Sequence, residues 1–432
     1  MLSRRTFLAA SAASAAAPLV LTRTARAFAA NEKINLGFIG VGTMGRGHLG
    51  GFLGRNEVQV VAVCDVVKER LDNAKGMVEK KYAEQIKSGA YKGVAAFGDF
   101  RELLALKGLD AVVIATPDHW HAIPAVLAAR AGKHIYCEKP LTQNLADGRW
   151  IVNEVKKAKV VFQTGSQQRS EFGGHFRKAV EYVWAGRIGK LHTVRIGVGA
   201  PAIPCDLKGE PKPDGTDWDT WLGPAPEREY SSVLCPKGVH QGFPQWRAYQ
   251  EYAGGQLADM GAHHFDIAQW AMNMDTSGPV EIIPPEQKSD RGLKFVYASG
   301  IVMYHNVFEK DKDGKEIKAD CVFEGSDGKI LVSRGGISSL PDTVLKQPLG
   351  EKDKRVYPST DHKKNWLECI ASGKETICPA ETGHRSASIC HLGNIGYRLG
   401  RKLKWDAAKE QFADDEKANK ELSREPRAKW KI

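Results

Sequence analysis

At 432 residues, 42% hydrophobic and 26% charged, the chain is long enough for two or three domains with sizeable cores. The formal charge of +11 is spread without a long run of one sign, which argues against a nucleic-acid partner and leaves at most a mild attraction for anionic ligands. The eight cysteines show neither a CxxC nor a metal-ligand spacing; they are expected to be mostly free buried thiols, with Cys205 and Cys235 the one conceivable disulfide.

The first 30 residues are expected to be an export signal and no part of the fold. They carry the twin Arg4-Arg5, then Phe7 and Leu8, an alanine-rich weakly apolar run, and Ala25-Arg26-Ala27 as a cleavage signature. Folded export to the periplasm or another extracytoplasmic space follows. No other stretch reaches transmembrane length, so no membrane anchor is expected after the signal is removed.

From residue 33 the pattern alternates. Residues 33–44, 58–65, 110–117 and 134–140 read as short apolar strands, and 68–82, 99–106, 121–132 and 146–159 as helices. The expectation is an α/β Rossmann domain over 33–155, a parallel sheet with both faces covered. Gly40-x-Gly42-x-x-Gly45 directly follows the first strand and opens a helix, and Asp65 ends the next strand 20 residues beyond Gly45. Glycines in that setting let the backbone approach a pyrophosphate at a helix N-terminus, while the acid accepts from ribose hydroxyls and repels a 2′-phosphate. NAD is therefore the expected cofactor, ahead of NADP, although Lys68 and Arg70 weaken that preference. Thr43 and Met44 lie in the same turn, and Thr116-Pro117 ends a further strand at the ligand-binding edge of the sheet.

Beyond about residue 156 the grammar changes. The sequence 160–169 begins another strand, 200–245 is Pro/Gly-rich and resists assignment, and 253–272 is helix-like. Strand pairs follow, one of them joined by the turn Ser326-Asp327-Gly328-Lys329. An α+β domain with a mostly antiparallel sheet is expected over 156–404, then a polar tail or strap over 405–432. In the helix-like stretch Asp259, His263 and Asp266 are spaced to share one helical face, and a carboxylate one turn from an imidazole can fix its tautomer. Zinc is the competing chemistry, through His119, His121, His263 and His264, but the motif spacing is missing and no metal is expected.

Taken together, GFIGVGTMG, VVAVCD, VVIATPDHWHAIPAVLAARAGKHIYCEKPL, TGSQQRS, WDTWLGPAP and GGQLADMGAHHFDIAQWA resemble the glucose–fructose oxidoreductase / inositol dehydrogenase / MocA family of sugar and cyclitol oxidoreductases. The resemblance covers nearly the whole chain after residue 30. It implies a Rossmann domain, a large antiparallel sheet in the second domain and a homo-oligomer built through that sheet. It also implies that Lys139 of the Glu138-Lys139-Pro140 turn joins Asp259 and His263 as the catalytic group on a carbohydrate or cyclitol.

A hydride leaves a carbinol carbon only as the hydroxyl proton is lost, so the oxygen needs a base and a cation. His263 is expected as base, Asp259 as its partner and Lys139 as electrostatic stabiliser, with the proton role open between Lys139 and His263. Glu138 either contacts cofactor ribose or orients Lys139, and His119 and His121 are expected to line the nicotinamide side. Gln167, Gln168 and Arg169 either bind substrate hydroxyls or form a structural turn. Trp218, Trp221 and Trp246 either stack on a sugar or pack a core. If cofactor is carried out folded, it is expected to be held tightly and regenerated on the enzyme. The reaction is then a coupled oxidoreduction, or a lyase or glycosidase working through a transient 3-keto sugar. A redox-sensing binding protein without turnover is the remaining alternative.

Overall fold

The computed structural model describes residues 33–432; the expected export signal, with Arg4-Arg5 and Ala25-Arg26-Ala27, lies outside the described residues. Six strands, β1 (Ile34–Ile39), β2 (Val58–Cys64), β3 (Ala95–Phe97), β4 (Ala111–Ile114), β5 (His134–Cys137) and β6 (Phe162–Thr164), form one sheet in the order 3-2-1-4-5-6. Every pairing in it is parallel. All four residues of β4 are buried, as a central strand with both faces covered requires. Alternate residues serve the two faces: Ala111 and Val113 join Phe38, Phe52 and Tyr136 on one side, while Val112 and Ile114 join Ile135 and Cys137 on the other. The strand order reverses between β1 and β4, which opens a crevice at their carboxyl ends.

The sixth strand corrects the expected boundary at 155. Cys137 of β5 faces Thr164 of β6, so the chain leaves the first sheet only after residue 164. The second sheet has nine strands: β7 (Leu191–Ile196), β8 (Glu281–Ile283), β9 (Lys294–Val296), β10 (Val302–His305), β11 (Cys321–Gly325), β12 (Gly328–Ser333), β13 (Gly336–Leu340), β14 (Leu403–Asp406) and β15 (Gln411–Phe412). Only β7 and β10 pair in parallel. The expected hairpin is present, with Gly325 opposite Gly328. Helices His175–Trp184, Gly261–Ala271 and Ala380–Leu399 pack their apolar residues into one core with the inward side chains of this sheet.

Two segments that the sequence left open are ordered by aromatic side chains. In 200–245, Trp218 and Trp221 stack at 4.7 Å and pack with Tyr230, Leu234 and Tyr252 in a separate small core. The end of the chain is a strap and not a free tail. Trp405 and Phe412 enter the second core, and Trp430 returns to the first domain, its ring centre 4.8 Å from that of Trp120. All eight cysteines are free, Cys205 and Cys235 included.

Candidate functional site

The crevice at the end of β1 and β4 opens into a cavity of about 490 Å³ that runs from the glycine turn to the second domain. Its first half is shaped by backbone. Gly40 has φ +82°, and a Cβ there would meet Thr116 N at 2.8 Å; a Cβ on Gly45 would meet Gly40 O at 2.0 Å. A Cβ on Gly42 would meet nothing within 4 Å, so the open space lies where this residue caps the helix Thr43–Leu53 without a side-chain cap. That is the fit a dinucleotide pyrophosphate needs: close backbone approach and unpaired N–H groups. Asp65 accepts from Val41 N and Val67 N, both at 2.9 Å, and is buried beside the cavity. Arg70 does not wait for a 2′-phosphate. It donates to Gly238 O at 3.1 Å and to Pro236 O, and Lys68 bonds Asp72 instead, so the acid sets the preference for NAD.

In the second half Lys139, at the end of β5, reaches across to the other domain. Its Nζ donates to Asp259 Oδ1 and to Asp259 O, each at 2.7 Å. The helix Gly255–Asp259 stops at Asp259, and the next begins at Gly261, which leaves that carbonyl free to accept. Arg247 Nε is 3.6 Å from the other carboxylate oxygen. Asp259 is therefore the partner of Lys139 and not of His263, which corrects the expected pairing. Burial is the largest influence on Asp259 and opposes its charge, but Lys139 and Arg247 outweigh it and hold the group below its ordinary 3.8.

His263 is buried against the same cavity, and its Nδ1 has no hydrogen-bond partner among the described residues. Burial first, and then the charge of Lys139, put its pKa well below 6.5, so the ring is neutral. Asp266, expected on the same face, is turned away: Arg169 donates to it at 2.7 and 2.8 Å and Ser386 at 2.6 Å.

The other expected residues divide. Thr43, Met44, Thr116, Pro117, His121, Glu138, Gln167 and Trp246 line the cavity. Glu138 is buried, and its Oε1 meets His48 Nε2 at 2.7 Å and Gln167 Nε2 at 2.8 Å. His121 sits between Thr116 O and Pro140 O, at 2.9 and 2.8 Å, and ties the two strand ends together. His119 is not at the cavity; its ring lies against Trp221 and Tyr252 with Nε2 at 3.1 Å from Trp221 O. Arg169 and Gln168 are also structural. Arg169 is 1% exposed and gives four hydrogen bonds to Asp266 and Asp275, and Gln168 is fully buried with its Oε1 on Arg334. Among the cavity residues that the sequence did not single out are His48, Asp118, Arg247 and Arg334. Burial, then the nearby Asp259 charge, push Asp118 well above 3.8.

Residues 34–166 match the oxidoreductase family's NAD-binding Rossmann fold, and residues 204–432 match the same family's C-terminal alpha/beta domain. The second match alone takes in more than half of the 432 residues. The chain belongs to the Gfo/Idh/MocA oxidoreductase family. NAD is the cofactor of its first domain, and Gly40, Gly42 and Asp65 line the cavity that opens at the glycine turn. This Gfo/Idh/MocA chain is 36% identical over 171 residues to a myo-inositol 2-dehydrogenase of Thermotoga maritima, a stretch covering 40% of this chain and 47% of that protein. It is 40% identical over 138 residues to a glycosyl hydrolase family 109 protein of Stenotrophomonas maltophilia, covering 32% of this chain and 29% of that one. The chain thus spans about half or less of the length of these curated relatives. Among solved structures it is similar in fold to the WlbA dehydrogenase of Bordetella pertussis in complex with NADH and UDP-GlcNAcA, at 19% identity and TM-score 0.57, covering 87% of this chain and 99% of that one.

Proposed function

We propose that this protein is an NAD-dependent oxidoreductase acting on a CH–OH group of a sugar, cyclitol or glycoside. The observation that carries the reading is the meeting of Lys139, from the first domain, with Asp259 and neutral His263, from the second, on the cavity that holds the glycine turn. Bound NAD supplies a hydride acceptor. The chain's own residues manage the proton and the charge. An ammonium has three donors, and Lys139 uses two of them on Asp259, so one remains for a substrate oxygen. That N–H stabilises negative charge growing on the oxygen, while His263, held neutral, is ready to accept the hydroxyl proton.

Retention and on-enzyme regeneration of the cofactor belong to the same proposal. Their support is the segment 236–244, which bonds to the residues beside the dinucleotide site. Thr43 Oγ1 donates to Gly242 O at 2.8 Å, Arg46 to His240 O, and Arg70 to Gly238 O and Pro236 O. Denaturing the purified protein and identifying what it releases tests this: one nucleotide per chain supports a closed cycle, and an empty protein that binds NAD weakly refutes it. The similarity to a family 109 glycosyl hydrolase favours a second reading, in which a transient 3-keto sugar acidifies the neighbouring C–H and a glycosidic oxygen is eliminated. Release of an aglycone with no net reduced cofactor distinguishes it from simple dehydrogenation.

The protein is further proposed to be exported folded, which changing Arg4-Arg5 to Lys-Lys in a fractionation experiment tests by retention in the cytoplasm. The proposed homo-oligomer rests on the second sheet. Arg195, Tyr304 and Leu331 lie half-buried on strands whose alternate residues fill the core. Sedimentation of the mature protein tests that assignment.

A further inference from the structure

The substrate end of the cavity holds more positive charge than the proton chemistry uses. Arg334 occupies the turn between β12 and β13, and Arg247 a short helical turn, Gln245–Ala248. Both line the cavity with His263. The Arg334 guanidinium lies 4.7 Å from the Phe172 ring centre, and its Nε donates to Gln168 Oε1 at 3.3 Å; its two terminal nitrogens have no partner among the described residues. Arg247 is stacked 4.2 Å from the Trp246 ring centre and 4.8 Å from that of Phe243. It donates from Nη1 to Pro244 O at 3.3 Å, and its Nη2 has no partner among the described residues.

The carboxylates nearby do not balance these groups. Asp259 is shared between Lys139 and Arg247, and Glu138 is bound by His48 and Gln167. Asp118 is buried and shifted toward its neutral form. Glu171 also lines the cavity and forms no ion pair among the described residues, so it offsets at most one of the two cations. Arg247 and Arg334 both act on Asp259, and Arg247 also reaches His240 and Phe243 beside the glycine turn, whereas the charges felt by Asp65 are those of Arg70 and Arg46.

We propose that the substrate is a sugar or cyclitol derivative bearing an anionic group, a carboxylate or a phosphate, which Arg334 and Arg247 hold while its hydroxyl is presented to Lys139 and His263. A planar guanidinium with free terminal nitrogens, stacked so that it loses little freedom on binding, is suited to bidentate recognition of either group. The proposal rests on the oxidoreductase reading above and names its substrate class.

The test uses the purified protein with its nucleotide and matched sets: glucose, glucuronate and glucose 6-phosphate, and the corresponding galactose series. Steady-state KM is measured for each, and binding to the His263→Ala variant is measured separately by calorimetry. At least one acidic member is expected to bind about tenfold or more tighter than its neutral counterpart, with affinity falling as salt rises. Arg334→Gln and Arg247→Gln are each expected to raise KM for the acid about tenfold more than for the neutral sugar, and Arg334→Lys to recover part of the loss. The uronate and phosphate arms tell the two anions apart. Equal binding of acidic and neutral members, or equal weakening of both by the arginine variants, overturns the proposal. Absence of hydride transfer from every sugar removes the oxidoreductase reading instead, and the calorimetry then still decides the anion preference.

Discussion

Lys139 is held by two acceptors on one residue, Asp259 Oδ1 and Asp259 O, and both it and the carboxylate are largely withdrawn from solvent. Replacing either partner strands the other charge, a loss that is severe for buried pairs. Lys139→Met is expected to lower kcat about a hundredfold or more, with NAD content unchanged. Asp259→Asn is expected to lower kcat together with the unfolding midpoint, because the lysine then keeps neutral acceptors but loses its counter-charge. Single-turnover kinetics and denaturation curves check these outcomes. Spacing in the sequence brought Asp259 and His263 together, yet assigned the carboxylate to the wrong partner, since four residues on a helix imply contact only if the helix continues. Here it breaks at Met260. Arg247 and Arg334 could not be read at all. A single arginine in a turn looks like any solvated surface charge until the fold aims it inward.

Alternating strands and helices over 33–159 made the parallel sheet legible, because its longer strands are rich in apolar residues and the central β4 is buried on both faces. β3 escaped notice since three residues, Ala95–Phe97, are too few to set a period. The stretch 200–245 has no period of its own; its order comes from aromatic packing and from bonds to the first domain. Those bonds hold part of it against the cavity at the glycine turn. Arg70→Ala removes the donors to Gly238 O and Pro236 O, and is expected to speed NAD dissociation about tenfold or more while leaving the proton-transfer residues in place. Dialysis followed by nucleotide assay checks this. Retention equal to wild type would show that the segment does not hold the cofactor.

The two domains are joined at several places, among them the Lys139–Asp259 pair, Arg169 between the turn after β6 and Asp266, the bonds from Thr43 and Arg70 to segment 236–244, and the strap that ends with Trp430 against Trp120. The same close packing buries many imidazoles. Burial puts His119 and His391 at about 3, and His305 and His362 at about 4, all below the ordinary 6.5. The unfolded chain binds protons at these sites as pH falls below about 6.5, while the folded chain does not, so stability present at neutral pH is lost between about 6.5 and 4. Each such histidine contributes up to about 1.4 kcal/mol per pH unit in that window. Denaturant unfolding at several pH values is expected to show this slope, and His391→Gln, which removes an imidazole whose Nε2 has no partner among the described residues, to reduce it.

In the proposed reaction an alcohol oxygen between Lys139 and His263 gives up its proton as hydride leaves the same carbinol. The most direct measurement mixes a C-deuterated acidic sugar with the protein and follows reduced nicotinamide in a single turnover, for wild type and His263→Ala, each assayed for nucleotide content. The expected result is rapid, isotope-sensitive reduction in wild type and a loss of about a hundredfold or more in the variant, with equal NAD in both. Reduction by the variant at the wild-type rate, with an unchanged pH profile, would contradict the account.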